Sequence, residues 1–431
     1  MSTSIQPNEA ALSALYSKIN WRLLPFLLLC YIFAYLDRVN IGFAKLQMQS
    51  DLGLSDAAYG LGAGIFFIGY AMFEIPSNLM LPKVGASKTI SRIMILWGLT
   101  SASMLFVQTE TSFYCLRFLL GVFEAGFAPG MIFYLTYWYP QRRMARVMSI
   151  VMLAAPLAGI FCAPLSTWIM GAFADLHGLK GWQWMFLIEG LPCVLLGLLC
   201  LKVLSDRPQD AGWLSDEEKR LLASDVTPVS TKHHSFRQVA TDPKVYLMAF
   251  GYFCLISGIY AVSFWLPTII KDSGVTNLVH IGFYSAIPYV VAAICMLIFS
   301  WSSDHFRERR WHSAVPAFVA AVMLVAATMN SGNLWPALFC MTIATAMMWV
   351  AYTVFWAIPS EYLKGEASAG GIALINTIGL LGGFLSPTLI GWIRTATGNT
   401  QSGLWVMVGL LVVGFVLLAL NRQPAAAQAA Y

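Results

Sequence analysis

Charge is what this chain has least of. Lys, Arg, Asp and Glu make up 11% of its 431 residues, whereas a soluble domain carries roughly 25%. With 58% of residues hydrophobic, a water-soluble fold of this length would have nowhere to hide its apolar surface, so the chain reads as a membrane protein with many spans. Runs of basic residues are missing, and so is any basic–aromatic stripe in a polar segment, which argues against nucleic acid as a partner. No CxxC occurs and no cysteine sits beside a histidine at ligand spacing. The eight cysteines, Cys30, Cys115, Cys162, Cys193, Cys200, Cys254, Cys295 and Cys340, all fall in apolar segments and read as small buried hydrophobes, with no disulfide framework and no metal expected. There is no nucleophile–base pair and no phosphate loop, so neither an enzyme nor a cofactor is expected. About twenty mostly polar residues precede the first apolar run, which has full length and no small-residue cleavage site; it reads as a span, not a signal peptide.

What is present is apolar length. A hydrocarbon core about 30 Å thick needs roughly 20 helical residues, and that ruler gives twelve spans: 22–44, 57–81, 89–108, 112–137, 147–171, 183–204, 245–270, 280–301, 313–330, 334–358, 368–393 and 403–421. Trp21, Trp138, Trp182, Trp265, Trp301 and Trp335 mark span ends and read as interface anchors. With both termini cytoplasmic, twenty Lys and Arg fall in inside segments and four outside (Lys45, Lys180, Lys271 and Arg394), while Arg38 and Arg117 lie within spans. That bias is the positive-inside pattern, and it checks the even count.

The organisation follows: a cytoplasmic tail 1–21, a six-helix half 22–204, a cytoplasmic linker 205–243, a second six-helix half 244–422 and a tail 423–431. The linker is too short for a core of its own. Its "SDEEKRLL" (215–222) has capping-box spacing from Ser215 to Glu218, and its His233 and His234 read as solvated. The halves share a G-x4-P pattern, "GIFCAP" (159–164) in span five and "GGFLSP" (382–387) in span eleven, the interruption expected of a transporter built from repeats.

A few charges cannot easily reach water. Asp37 and Arg38 lie in "YLDRVN"; Arg117 and Glu124 lie in "FYCLRFLLGVFEAGFAPG" (113–130). Each costs at least ~2.5–3.5 kcal/mol at membrane depth on insertion scales, so each should face a bundle interior or a wet cavity. Arg117 and Glu124 are seven residues apart, nearly two turns, so they share one helix face about 10 Å apart. A guanidinium there suits a carboxylate, and a carboxyl there suits proton exchange. Glu74, in "FEIPSN", reads as reaching the headgroups, and Glu189, after "GWQWMF", as a structural hydrogen-bond partner. Asp304 and Arg307, in "SSDHFRERR", are candidates for a cytoplasmic latch. Spans seven to twelve hold no deep basic residue, only neutral groups such as Ser257, Tyr260, Ser263, Tyr352, Thr353, Asn376 and Thr377.

The stretches "YLDRVNIGFAKLQM", "GAGIFFIGYAMFEIPSNLML", "RFLLGVFEAGFAPGMIFYLTYWYP", "GWQWMFLIEGLP" and "FWLPTII" together resemble the major facilitator superfamily, and within it the anion:cation symporter family of tartrate, phthalate, hydroxyphenylacetate and sugar-acid permeases. The resemblance implies an all-α integral membrane fold of two six-helix bundles around a central cavity, worked by alternating access. It implies proton-coupled uptake of a small organic acid across the inner membrane, with protons as the coupling ion. By motif, Asp37 and Glu124 would be the protonatable pair, Arg38 and Arg117 would hold the substrate carboxylate or couple to those acids, and Tyr35, Tyr70 and Asn376 would line the cavity. "PKVGASK" (82–88) stands where the superfamily carries a glycine–aspartate–arginine signature, and lacks its acid. The alternative is an exchanger of organic anions or organophosphates; phosphate would favour basic residues in both halves, and the second half has none at depth. A monomer is the default expectation.

Overall fold

A computed structural model of the chain describes residues 9–226, 240–363 and 367–421. Among these, twelve helices are long and apolar enough to cross a membrane: α1 Glu9–Leu52, α2 Asp56–Val84, α3 Ala86–Phe106, α4 Glu110–Thr136, α5 Arg142–Ala172, α6 Gly181–Val203, α7 Pro243–Asp272, α8 Leu278–His305, α9 Arg310–Met329, α10 Leu334–Tyr362, α11 Gly370–Thr397 and α12 Gln401–Leu420. No strand occurs among the described residues. In lipid a spanning segment that is not part of a closed barrel must satisfy its own backbone hydrogen bonds, and a helix does so. His233 and His234, and the basic Lys364 and Arg422, lie outside the described residues.

Within the first half α1 packs on α5, α2 on α4 and α3 on α6. Within the second, α7 packs on α11 and α12, and α9 on α10 and α12. The halves meet along α2–α11, α5–α8 and α1–α7. Small residues permit the close approach: a Cβ on Gly60 would stand 2.3 Å from the Pro387 carbonyl oxygen, and one on Gly159 2.3 Å from the Tyr289 ring. The G-x4-P segments of spans five and eleven therefore both lie on seams between the halves.

Two helix limits differ from the apolar ruler for a physical reason. α1 already runs as helix at Glu9, the first described residue, well before the apolar run, and its polar turns pack on the linker instead of lipid. Tyr16 donates to Asp225 (2.6 Å) and Lys18 to Glu218 (2.8 Å), a contact that holds the Glu218 carboxyl below its usual range. α4 is broken: it runs to Glu124, turns through Ala125 and Gly126 (φ 88°), and resumes at Phe127. Glycine allows that left-handed step. The linker helix Asp216–Asp225 starts with the expected capping box from Ser215 to Glu218. The acid missing from "PKVGASK" comes from the linker: Asp206 accepts from the Ser87 amide and hydroxyl, both 2.8 Å.

Three of the six tryptophans read as anchors are exposed at the surface, Trp21, Trp301 and Trp335. The other three are buried, and their partners say why. Trp138 stacks on Trp213 of the linker (5.5 Å), Trp182 donates to Asp51 (2.8 Å), and Trp265 meets Tyr59 edge-on (5.4 Å). A ring at a span end serves a neighbouring helix as readily as a headgroup. Of the eight cysteines, all free, Cys115 is exposed and Cys295 half-buried.

Candidate functional site

The helix period decides which charges meet. Consecutive residues point about 100° apart, so Asp37 and Arg38 cannot face the same way. Arg38 faces α4: its Nε donates to Glu124 Oε1 at 2.8 Å, and its Nη2 makes a shorter contact with the same oxygen. Its Nη1 reaches Tyr260 of α7 at 3.3 Å. The guanidinium lies over three rings, Tyr35 (5.3 Å), Phe66 (5.6 Å) and Tyr70 (5.2 Å), whose faces attract a cation.

Arg117 shares the Phe66 ring (5.3 Å), so Arg38 and Arg117 flank one aromatic side chain. Arg117 is fully buried and donates from Nε to Gly62 O (3.2 Å) and from Nη2 to Ala63 O (3.3 Å). Its Nη1, and Glu124 Oε2, are buried without a hydrogen-bond partner. α2 and α4 approach closely enough for this because Gly121 stands against the Phe66 carbonyl, where a Cβ would be 2.0 Å from the oxygen. Arg117 and Glu124, about 10 Å apart along one helix face, thus do not pair with each other: Glu124 is held by Arg38, and Arg117 is anchored on the α2 backbone.

Asp37 is not part of that group. It faces α3 and α6, accepting from Trp97, from Ser101 at 2.8 Å and from Asn40 at 3.3 Å, with the Cys193 thiol 3.4 Å away.

The remaining candidates lie around Arg38. Tyr35 also touches Trp349 of α10 (6.3 Å between ring centres). Asn376 donates to Glu74 at 2.8 Å, which corrects the reading of Glu74 as a headgroup contact: it is 5% exposed and held by the opposite half. Phe66, Tyr70 and Glu74 recur every fourth residue, as helix neighbours on one face do, and that spacing was the available signal for two residues the sequence argument did not place here, Phe66 and Glu74. Tyr260 had no such signal; it was one neutral polar residue among several.

The halves are tied at the face opposite the linker. Asp56 of α2 is bonded by Lys45 (2.8 Å) and by Arg394 of α11 (3.1 Å), and Arg394 also holds Asp272 of α7 (2.6 Å). Lys45 is only 2% exposed and lies over Trp265 (3.9 Å) and Tyr59 (4.9 Å). Both basic residues had been assigned to outside loops; their neighbours draw them into the bundle. On the linker face, Asp304 pairs with Arg309 (2.5 Å), which also reaches Glu361 (3.2 Å). This cluster ties the α8–α9 turn to α10 within one half. Arg307 sits in that turn at φ 50°.

The comparisons agree on one family. The description Major Facilitator Superfamily matches residues 27–387. A Pseudomonas putida protein named "Putative metabolite transport protein NicT" is 47% identical, with 95% of each chain covered. An Agrobacterium vitis "Putative tartrate transporter" is 46% identical, with 94% of each covered. The solved D-xylose–proton symporter shares the fold at a TM-score of 0.76 with 13% identity, over 94% of this chain and 99% of that one.

Proposed function

Because this chain belongs to the major facilitator superfamily, and so is a multi-pass membrane transporter and not an enzyme, we propose that it takes up a small organic carboxylate together with protons. The observation that carries the reading is the Arg38–Glu124 pair. Glu124 already occupies the guanidinium with a carboxylate, the group a substrate acid would bring. An ionised Glu124 therefore competes with the substrate. A proton on Glu124 abolishes its charge and releases Arg38 to a substrate carboxylate, with the unpaired Arg117 Nη1, the Tyr35 and Tyr70 rings and, from the other half, Tyr260 and Asn376 as further contacts. Return of the Glu124 proton to the cytoplasm restores the ion pair and expels the anion. Each ligand thus raises the affinity for the other by one common factor.

The linker face is assigned to the cytoplasm by its excess of Lys and Arg, in the inner membrane, and the Lys45–Asp56–Arg394–Asp272 seam then closes the outer mouth. The tartrate relative favours a hydroxy-acid, with sugar acids and aromatic acids in the same class. The test is uptake into proteoliposomes under an inward proton gradient. Glu124→Gln is expected to abolish accumulation while sparing exchange of preloaded substrate. Normal accumulation by the variant ends the proton role of Glu124, and uptake by the unaltered protein that requires preloaded counter-substrate marks an exchanger.

A further inference from the structure

Two buried acids, Asp37 and Glu189, have no part in this scheme. Glu189 of α6 is 2% exposed and accepts from Ser166 Oγ through Oε1 (2.6 Å) and from Asn40 Nδ2 through Oε2 (3.1 Å). The same Asn40 nitrogen donates to Asp37 Oδ1 (3.3 Å). A single amide therefore joins two carboxyl groups from α1 and α6. Among the described residues, no Lys, Arg or His nitrogen pairs with either carboxylate. The other titratable or charged groups near them are Cys193 on α6, Cys162 on α5, and Glu124 and Arg117 on α4; α3 contributes the neutral Trp97 and Ser101. Lastly, Asn40 is fully buried and its Oδ1 has no hydrogen-bond partner.

We propose that Asp37 and Glu189 hold protons in common across the Asn40 amide, so that Glu189 is a positioning residue for the protonation of Asp37. Two bare carboxylates without a cation are untenable in a dry interior. With one proton present, Asp37 keeps its charge, because Trp97, Ser101 and Asn40 all donate to it. Glu189 takes the proton and donates it to the Ser166 hydroxyl, which can accept as readily as donate. With two protons present, the amide inverts. Its oxygen then lies between an O–H on Asp37 and an O–H on Glu189 Oε2, Ser166 donates to Oε1 again, and the amide N–H groups turn to the side where the oxygen had no partner. The orientation of Asn40 thus reports whether the pair holds one proton or two, on the helix that also carries Arg38. No bond other than O–H is made or broken.

The inference builds on the proton-coupled reading, and its test separates the two. Full-length protein in lipid is titrated by infrared difference spectroscopy of the carboxyl C=O stretch. Asp37→Asn is expected to remove one titrating band. Glu189→Gln is expected to displace the midpoint of that same band by about one pH unit or more, the mark of a coupled pair. Ser166→Ala, which keeps both acids, is expected to displace it by less. An unmoved midpoint in folded Glu189→Gln overturns the pair; if that variant does not fold, an unmoved midpoint in Ser166→Ala does so. Gradient-driven uptake by the unaltered protein is measured in parallel. Coupled bands with uptake indifferent to the gradient leave the pair standing and end proton-coupled transport. Uncoupled bands with gradient-driven uptake do the reverse.

Discussion

At mid-membrane the two halves differ in kind. The first half supplies every formal charge near Arg38: Glu124 on α4, Arg117 on α4, and Glu74 on α2. The second half meets them with the Tyr260 hydroxyl and the Asn376 amide. At the face opposite the linker the arrangement changes, and charge crosses the seam, from Asp56 in one half to Arg394 in the other. On the proposed transport cycle the contrast separates two jobs. Arg38 and Glu124 belong to the same half, so a relative movement of the halves would leave their pairing intact, while a proton on Glu124 would break it. Contacts between the halves set one charged group against a neutral one at the centre and two charges against each other at the rim, so proton chemistry and conformational change would fall to different residues.

The hardest blow to this comparison falls on the central pair. Arg38→Ala leaves Glu124 buried without its partner, and about 3–5 kcal/mol of stability should be lost, read by thermal or denaturant unfolding in detergent. The double variant Arg38→Gln/Glu124→Gln should recover most of that stability and none of the substrate binding. A double variant as unstable as the single one would show that packing, and not the unpaired charge, was at fault.

A weaker blow falls on the rim. Gly60→Ala places a methyl group against the Pro387 backbone, which cannot yield as a side chain would. Overpacking of this sort costs about 1–3 kcal/mol, here charged against the closed seam. Spin labels at the exposed positions Ser50 and Thr276 should report a longer distance across the outer mouth. An unchanged distance distribution would mean that the seam does not hold this face shut.

The smallest effect sharpens the contrast between halves. Tyr260→Phe removes one long hydrogen bond to a pair that is otherwise intact. Substrate binding should weaken by about 1 kcal/mol, roughly fivefold, with no change in the pH dependence set by Glu124. A changed pH dependence would give the second half a share in the proton chemistry.

Much of the fold was visible beforehand because it depends on quantities that add along the chain. Span number follows from apolar length, and the helical form from backbone satisfaction in lipid. The site was visible only in part. Arg38, Arg117 and Glu124 stood out because each is costly in lipid without a partner, but nothing in their spacing named Arg38 as the partner of Glu124. The Trp138, Trp182 and Trp265 side chains, and Glu74, were read as interfacial from their position near span ends. Neighbouring helices claimed them instead, and a position along a helix carries no information about which helix stands beside it.

Composition and hydropathy were sufficient to specify the solvent, the helical class and the need of a few charges for company, since each is a free energy of one segment against its surroundings. Only the packed bundle could decide the company. Arg38 and Glu124 stand 86 residues apart in the chain, Asn40 and Glu189 149 apart, and Asp56 and Arg394 338 apart. Contacts of about 3 Å between groups so distant depend on helix rotation and on the close approach that glycines such as Gly60 and Gly121 permit, which no local stretch encodes.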